Sequence, residues 1–178
     1  RYKRALAITE KTLGPDHPQT LADIFDLARQ LAHCRSFAEA ESLYRRAVAV
    51  AELDADAGSW DVCGALWLLA GVLVLQDRPV EAEPLLRRMI GIREGLDDVD
   101  SVPLLHGLQS LGELCRDSER FEEAGSYLER ARTLVEQRDR GDSAQLAGVL
   151  SALGQLRVLE KRFDEAEVLF LRCLEIRR

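Results

Sequence analysis

Histidine and cysteine are the residue types in this chain that could attack a substrate or bind a metal ion, and their spacing favours neither. The 178 residues include 3 His and 4 Cys. His33 and Cys34 are neighbours, but consecutive helical residues point about 100° apart, so they do not form a nucleophile–base pair. The cysteines form no C-x-x-C pair and have no His at the spacing of metal ligands. We therefore expect no enzyme activity, no cofactor and no metal site.

The other candidate groups for acid–base or phosphate chemistry have simpler explanations. His106 and Glu113 are seven positions apart, which places them on one helix face but two turns from each other. The acidic pair Asp97 and Asp98 falls between predicted helices, where solvation is the simplest expectation. The glycines fall in helices and turns and build no phosphate-binding loop. An enzyme is thus the weakest interpretation of these residues.

The composition describes an ordinary folded protein and argues against several kinds of partner. Hydrophobic residues make up 47% and charged residues 31%, and the net charge of −7 is unsuited to a surface that binds nucleic acid. The charge-free run from Val62 to Leu75 is 14 residues long, whereas a helix needs about 20 to span a bilayer. No signal peptide opens the chain, and the cysteine pattern favours a reducing compartment. We predict a cytoplasmic protein with no nucleic-acid or membrane partner.

One stretch of the sequence, FAEAESLYRRA, recurs along the chain at a fixed interval. Its fourth residue is an alanine in every copy, and these alanines are 42 positions apart: Ala40, Ala82, Ala124 and Ala166. Half of a further copy opens the chain, since Tyr2 lies 42 positions before Tyr44. Self-similarity at a period of about 20 to 50 residues is typical of stacked repeat proteins. The sequence therefore predicts a fold in which neighbouring repeats bury a shared core.

Each repeat contains two predicted helices joined by a short turn. In the first complete repeat, apolar periodicity predicts helices over about residues 18–34 and 37–53. We predict one solenoid of about nine helices. It begins with a truncated repeat and its linker, residues 1–17, and continues with four repeats: 18–59, 60–101, 102–143 and 144–178. Turn and capping residues predict the remaining linkers at 54–59, 97–101 and 139–143.

The linker after the first predicted helix shows how the chain changes direction. Gly14 ends the preceding helix, and Pro15 blocks its continuation. Asp16 is expected to cap the next helix, and Pro18 suits that helix's first turn.

A column of small residues inside the first helices predicts tight packing within each helix pair. The position after the central leucine is small in every complete repeat: Ala28, Ala70, Gly112 and Gly154. A glycine inside a helix costs about 1 kcal/mol relative to alanine, so close packing must offset it. Small residues of the second helices, Ala40 and Ala47 with their equivalents, are expected to face this column. Cys63 and Cys173 align with other core positions and are expected to be buried.

Together these features resemble the tetratricopeptide repeat. The F-x-E-A-E-x-L-Y-R-R-A stretch, the Gly-Pro-Asp-His-Pro linker and the 42-residue period look like the kinesin light chain subtype. The resemblance covers essentially the whole chain and implies an all-α, right-handed superhelical solenoid of antiparallel helix pairs. Pro79 replaces the aromatic residue at the start of one second helix. Other residues also replace the family's turn glycine in every complete repeat: Arg35, Asp77, Glu119 and Lys161.

By this resemblance, the first helix of each repeat lines a concave groove that binds a peptide or a folded partner. The groove residues for which we predict partner contacts are Phe25, Asp26, Arg29, Trp67, Leu68, His106, Gln109 and Glu113. In the kinesin light chain type, an asparagine before the central leucine clamps the backbone of a bound peptide. Four other residues occupy that column here, so the clamp is absent: Asp26, Leu68, Ser110 and Ala152.

Trp67 and Leu68 allow two interpretations. With Phe25, which shares a column with Trp67, they would form an apolar anchor for a partner, because aromatic residues dominate interface energetics. Alternatively, the chain itself or a neighbouring copy covers them, as an uninterrupted apolar run around a helix indicates. The sequence leaves both interpretations open.

Charged residues also form columns at the repeat spacing. Arginine recurs at five positions that are 42 residues apart: Arg4, Arg46, Arg88, Arg130 and Arg172. Two columns of glutamate begin at Glu10 and Glu39. Opposite charges in register on stacked helices are expected to pair with one another, at about 0.2–1 kcal/mol per exposed pair, rather than bind an acidic partner.

The sequence thus predicts a protein-interaction module, a scaffold or adaptor whose partner is a protein or a peptide. Two alternatives stay open. The chain could be the sensor or regulatory arm of a larger signalling protein that carries an NTPase, protease or transcription-regulating domain. It could also form a homo-oligomer through its C-terminal helix, where Leu174 and Ile176 do not supply the polar cap that repeat arrays need.

Overall fold

A computed structural model describes residues 1–53, 60–96, 102–139 and 143–177, and within these ranges the chain forms nine α-helices and no β-strand. The helices follow one another in this order: α1 (Tyr2–Leu13), α2 (Pro18–His33), α3 (Phe37–Ala51), α4 (Trp60–Leu75), α5 (Pro79–Gly95), α6 (Val102–Asp117), α7 (Phe121–Asp139), α8 (Ala144–Leu159) and α9 (Phe163–Ile176). The predicted all-α repeat solenoid is confirmed.

The helices divide into two compact units, Arg1–Ile92 and Arg93–Arg178. In the first unit α1 packs on α2, α2 on α3, and α3 on α4; in the second, α6 packs on α7, α7 on α8, and α8 on α9. Each unit has an apolar core rich in leucine, alanine and valine, with Tyr44 and Leu66 fully buried in the first and Leu128 and Leu153 in the second. We call α2, α4, α6 and α8 the first helices, and α1, α3, α5, α7 and α9 the second helices.

The helix ends lie within two residues of their predicted positions. Helix α2 covers 18–33 rather than 18–34, and α3 covers 37–51 rather than 37–53. The linkers at 54–59 and 97–101 lie outside the described residues, as does most of 139–143. The division of the chain into a single solenoid domain with the stated repeat boundaries therefore stays a prediction.

The cap of α2 differs from the prediction. Asp16 was the expected N-cap, but the cap is His17, whose Nδ1 accepts a hydrogen bond from the backbone N–H of Gln19 at 3.1 Å. Pro18 stands at the first helical position, so the residue before it must be the cap. Thr20, which is fully buried, donates its hydroxyl to the Gly14 carbonyl at 2.7 Å and ties the linker to the helix.

The turn inside each helix pair has the same left-handed backbone in all four complete repeats. The turn residue has a positive φ in each case: Arg35 (61°), Asp77 (60°), Glu119 (60°) and Lys161 (62°). The next residue donates its N–H five positions back, as in Ser36 to Leu31 at 2.9 Å, which is the hydrogen bond of a Schellman helix ending. Since glycine adopts this conformation most easily, the missing glycine leaves about 1 kcal/mol or more of strain in each turn.

The column of small residues packs tightly, as predicted, and large side chains of the second helices fill the space beside its two glycines. A Cβ atom at Gly112 would lie 2.7 Å from Leu128 Cγ and 3.4 Å from the Ala124 carbonyl oxygen. A Cβ at Gly154 would lie 2.7 Å from the Phe170 ring. At Gly112 the backbone of the expected small residue Ala124 does lie close, and in both pairs a leucine or phenylalanine of the second helix fills the space that the glycine leaves.

Candidate interaction surface

Helix α4 is apolar on its exposed side as well as on its buried side. Val62, Leu66, Leu69 and Leu73 are at most 2% exposed and face the core of the first unit. On the other side Trp67 is 37%, Val74 47% and Leu75 62% exposed. With half-buried Gly64 and Leu68 and exposed Gly71, these residues recur every three or four positions and so share one helix face. We call this face the apolar stripe; its members are Gly64, Trp67, Leu68, Gly71, Val74 and Leu75.

The apolar stripe bears on the two interpretations of Trp67 and Leu68. Within the described residues, Trp67 keeps more than a third of its surface exposed and Leu68 is half-buried, so the chain covers them only in part. A Cβ atom added at Gly64 or Gly71 would meet nothing within 4 Å. These two glycines therefore lie beside open space, unlike Gly112 and Gly154.

The predicted partner-binding residues of α2 are engaged with neighbours inside the first unit. The ring of Phe25 lies against Tyr44, with 6.4 Å between ring centroids and 46° between ring planes. Arg29 Nη2 donates to Asp26 Oδ1 at 2.5 Å, so their charges neutralise each other on the helix surface. Burial raises the pKa of Tyr44, and the Arg29 charge opposes that rise. This face of α2 thus presents a half-buried aromatic ring beside a closed ion pair.

The predicted residues of α6 form a polar cluster in the second unit. Gln109 Nε2 donates to Glu113 Oε1 at 3.0 Å, which fixes the amide and the carboxylate one turn apart. Arg116 Nη1 donates to Gln155 Oε1 at 2.6 Å and joins α6 to α8. Desolvation by burial, together with the Arg138 charge, lowers the pKa of His106, so its imidazole is neutral at neutral pH. We call His106, Gln109, Glu113, Arg116 and Gln155 the polar cluster.

The eight predicted site residues therefore divide between the two units. Five lie in the first unit: Phe25, Asp26, Arg29, Trp67 and Leu68. Three lie in the second: His106, Gln109 and Glu113. Leu75 and Gln155 are groove positions that the family resemblance also implies, whereas sequence reasoning missed Val74 of α4 and Arg116 of α6. Continuing the spacing from Gly71 by three positions would have found Val74.

The arginine column pairs with glutamate, as predicted. Three of its members form ion pairs with a glutamate 36 positions earlier, which lies on the preceding second helix or at its C-cap: Arg46 with Glu10, Arg88 with Glu52, and Arg130 with Glu94. The column that begins at Glu39 pairs with other residues. Glu39 pairs with Lys3 at 3.0 Å, and Glu81 pairs with Arg45 at 3.7 Å. These bases are engaged along the second helices, and we assign them no ligand.

A second charge network lies on α3 of the first unit. Glu41 accepts hydrogen bonds from Gln76 at 2.9 Å, from Arg78 at 2.7 Å and from Arg45 at 2.9 Å. The bond from Gln76 lowers the pKa of the Glu41 carboxyl most, and the two arginines add to the effect. This network joins α3 to the turn that follows α4.

Cys63 and Cys173 lie in the core, as expected, and one other cysteine is also buried. Cys63, Cys115 and Cys173 are buried, and the Cys173 thiol donates to the Ala147 carbonyl at 3.2 Å. Cys34 is exposed at the end of α2. Within the described ranges, no three His, Cys, Asp or Glu side chains gather closely enough to hold a metal ion. None of the described helices combines the length and the apolar character that crossing a membrane requires.

Comparisons with known families and structures agree with this architecture. Two family models, both described as tetratricopeptide repeat, match residues 103–178 and 1–19. No curated protein sequence matches the chain.

Solved structures with the same fold cover nearly the whole chain. BtubC (BKLC) from P. vanneervenii is 24% identical with a TM-score of 0.85, over 99% of this chain and 69% of its own. A Podosopora anserina protein, described as having nearly identical TPR-like repeats of a kinesin light chain, is 20% identical with a TM-score of 0.83, over 98% of this chain and 82% of its own. The apo form of RapI is 12% identical with a TM-score of 0.86, over 98% of this chain and 61% of its own.

Proposed function

Because the chain belongs to the tetratricopeptide repeat family, with repeats of the kinesin light chain-like kind, we propose that it is a scaffold that binds a peptide or a folded protein. The binding surface is the exposed side of the first helices, which the family resemblance places in a concave groove. Tetratricopeptide repeats are in general non-catalytic scaffold modules. The chain accordingly recruits a partner and performs no reaction itself, and its thiol pattern supports a cytoplasmic setting.

The single observation that carries this proposal is the apolar stripe of α4. Trp67, Val74 and Leu75 are large apolar side chains, and each is more than a third exposed. Exposed apolar surface costs free energy in water, and contiguous patches on folded proteins mark interaction sites. Trp67 is the expected anchor, since tryptophan is enriched among the residues that contribute most to binding.

The polar cluster of α6 and α8 gives the second unit hydrogen-bonding groups of its own for a partner. Glu113 already holds the Gln109 amide, which reduces the side-chain entropy lost when a partner hydrogen-bonds to that pair. The family's asparagine clamp is absent, so the partner's backbone is held by other groups, of which Gln109 is the one we propose. Polar groups of this kind set orientation and specificity more than affinity.

A capture experiment with matched variants tests the proposal. The wild-type chain and Trp67→Ala serve as baits in an extract of the source organism, and retained proteins are quantified by mass spectrometry. The control is the double variant Leu53→Ala/Val80→Ala, which removes two apolar side chains, 69% and 83% exposed, that lie outside the first-helix face. A partner retained by the wild type and the control but lost by Trp67→Ala supports the proposed surface. Equal retention by a folded Trp67→Ala bait contradicts it.

A further inference from the structure

The apolar stripe of α4 has a size pattern that complements itself. Two of its four central positions are glycines beside open space, Gly64 and Gly71, and the other two carry large side chains, Trp67 and Val74. They follow one another at intervals of three, four and three residues, which is the a and d spacing of a helix–helix seam. Small and large residues therefore alternate along the seam.

A twofold axis through the seam at the level of Leu69 pairs each glycine with a large side chain of a second copy. Two antiparallel α4 helices related by this axis place position 64 opposite 74, and 67 opposite 71, because each pair of numbers is centred on 69. Every one of the four layers then holds one glycine and one large apolar residue. Such reciprocal contacts are what an isologous interface requires: when residue i contacts j, j also contacts i.

The charge distribution also favours a second copy. No charged residue occurs from Val62 to Leu75, so two copies of this face meet without like-charge repulsion, although the whole chain carries a net charge of −7. A partner with charged groups on its contacting face would have to desolvate them with no opposite charge on α4 to compensate. The two glycines otherwise weaken α4 by about 1 kcal/mol each relative to alanine, and none of the described residues fills the space that they leave.

We propose that the chain forms an antiparallel homodimer through the apolar stripe of α4, with Trp67 of each copy packed over Gly71 of the other. The inference rests on the proposed function, because it names one partner for the same surface. A seam of four layers buries less area than the roughly 800 Å² per partner of a stable interface. We therefore expect the dimer to be reversible. We expect a dissociation constant on the order of 10–100 μM, so that a tighter-binding partner displaces the second copy.

Sedimentation equilibrium across a concentration series up to about 1 mM tests the dimer. In Gly71→Leu, a side chain occupies the space that Trp67 of the second copy needs, so the dissociation constant should rise at least about 10-fold. The variant itself should fold at least as well as the wild type, because Gly71 is exposed, has open space around it and weakens the helix. Its melting temperature checks this. Gly91→Leu, at an exposed helical glycine of α5 with the same open surroundings, is the matched control and should dimerise as the wild type does.

Two further variants separate this interface from the alternatives. The exchange Trp67→Gly/Gly71→Trp restores one glycine and one tryptophan to each antiparallel layer, so it should dimerise better than Gly71→Trp alone. Leu171→Glu, on the exposed side of α9, should leave the dimer intact. A dimer that survives Gly71→Leu but is lost in Leu171→Glu overturns the proposal in favour of the C-terminal helix. A chain that stays monomeric at about 1 mM also overturns it. A monomeric chain would not contradict the proposed function. The capture experiment tests that function separately, by comparing how Trp67→Ala and its control retain a different protein.

Discussion

Helices α4 and α6 occupy the same place in successive repeats, yet their exposed sides have opposite chemistry. The positions of Gly64, Trp67, Leu68 and Gly71 in α4 are those of His106, Gln109, Ser110 and Glu113 in α6, 42 residues later. The buried positions agree instead, since Leu66 and Leu69 correspond to Leu108 and Leu111, and all four are at most 2% exposed. The fold thus constrains only the buried columns. The exposed columns are free to differ, and in these two helices they do.

The largest expected difference between the two helices is in partner binding. Trp67→Ala should weaken the partner complex by about 2 kcal/mol, or roughly 30-fold, because it removes the largest exposed apolar side chain of the stripe. Gln109→Ala should cost about 1 kcal/mol or less, as expected for a neutral hydrogen bond. Isothermal titration with the captured partner measures both. A larger loss from Gln109→Ala would show that the polar cluster of α6, rather than α4, anchors the partner.

The glycines of α4 and α6 should respond in opposite directions to the same substitution. Gly112→Ala places a methyl group 2.7 Å from Leu128 Cγ, and such overpacking costs about 1–3 kcal/mol, more than the gain of about 1 kcal/mol in helix propensity. Gly71→Ala meets no atom and should raise the free energy of unfolding by up to about 1 kcal/mol. Chemical denaturation gives both values. Stabilisation by Gly112→Ala would mean that Leu128 moves aside at little cost.

The two units should behave alike at their turns. Arg35→Gly in the first unit and Glu119→Gly in the second relieve the same strained backbone, at φ of 61° and 60°. Each should gain up to about 1 kcal/mol of stability, the relief of strain being offset in part by the greater freedom of glycine in the unfolded chain. Thermal unfolding of the two variants is the measurement. Unequal gains would show that a neighbouring side-chain interaction, rather than the backbone, holds one of the turns.

The smallest expected effect distinguishes the units by the pH at which each loses stability. The folded pKa of His106 lies below 6.5, so as pH falls through 6.5 the unfolded chain takes up the proton first and stability decreases. His106→Gln should flatten the stability profile between pH 7.5 and 5.5. The folded pKa of Glu41 lies below 4.5, so its contribution is present above pH 4.5 and is lost as pH falls below that value.

Denaturation series at several pH values test both groups. Glu41→Gln should lower stability at every pH above about 4.5 and flatten the acid limb, since the variant lacks the carboxylate whose contribution is lost there. A His106→Gln profile that still falls as steeply as the wild type between pH 7.5 and 5.5 would contradict the assignment to His106.

The sequence predicted most of the fold because the repeat spacing records which residues pack together. The 42-residue interval identified the helix pairs, the small column at Gly112 and Gly154, and the charge ladder that includes Arg46 and Glu10. It did not identify what fills the small column, because the Leu128 and Phe170 side chains reach it through rotamers that spacing alone does not define. Pro18 at the first helical position implies that His17 is the cap, whereas N-cap propensity alone favours Asp16.

The candidate surface was less predictable than the fold. Exposure depends on how neighbouring helices cover a residue, and an all-apolar helix such as α4 gives no amphipathic pattern from which to infer it. Sequence periodicity therefore left Trp67 undecided between an anchor and a core residue. The internal engagement of Phe25 with Tyr44, and of Asp26 with Arg29, likewise depends on side-chain placement rather than on position in the repeat.

The ladder of ion pairs between second helices has a consequence for how such a chain changes its length. Each pair of this ladder joins an arginine to the glutamate 36 positions earlier, so the same register is restored whenever exactly 42 residues are added or removed. A whole-repeat duplication or deletion therefore keeps the spacing between the arginine and glutamate columns. An insertion of any other length within a second helix would shift the two columns out of register. The charge pattern thus favours growth of the array by complete repeats.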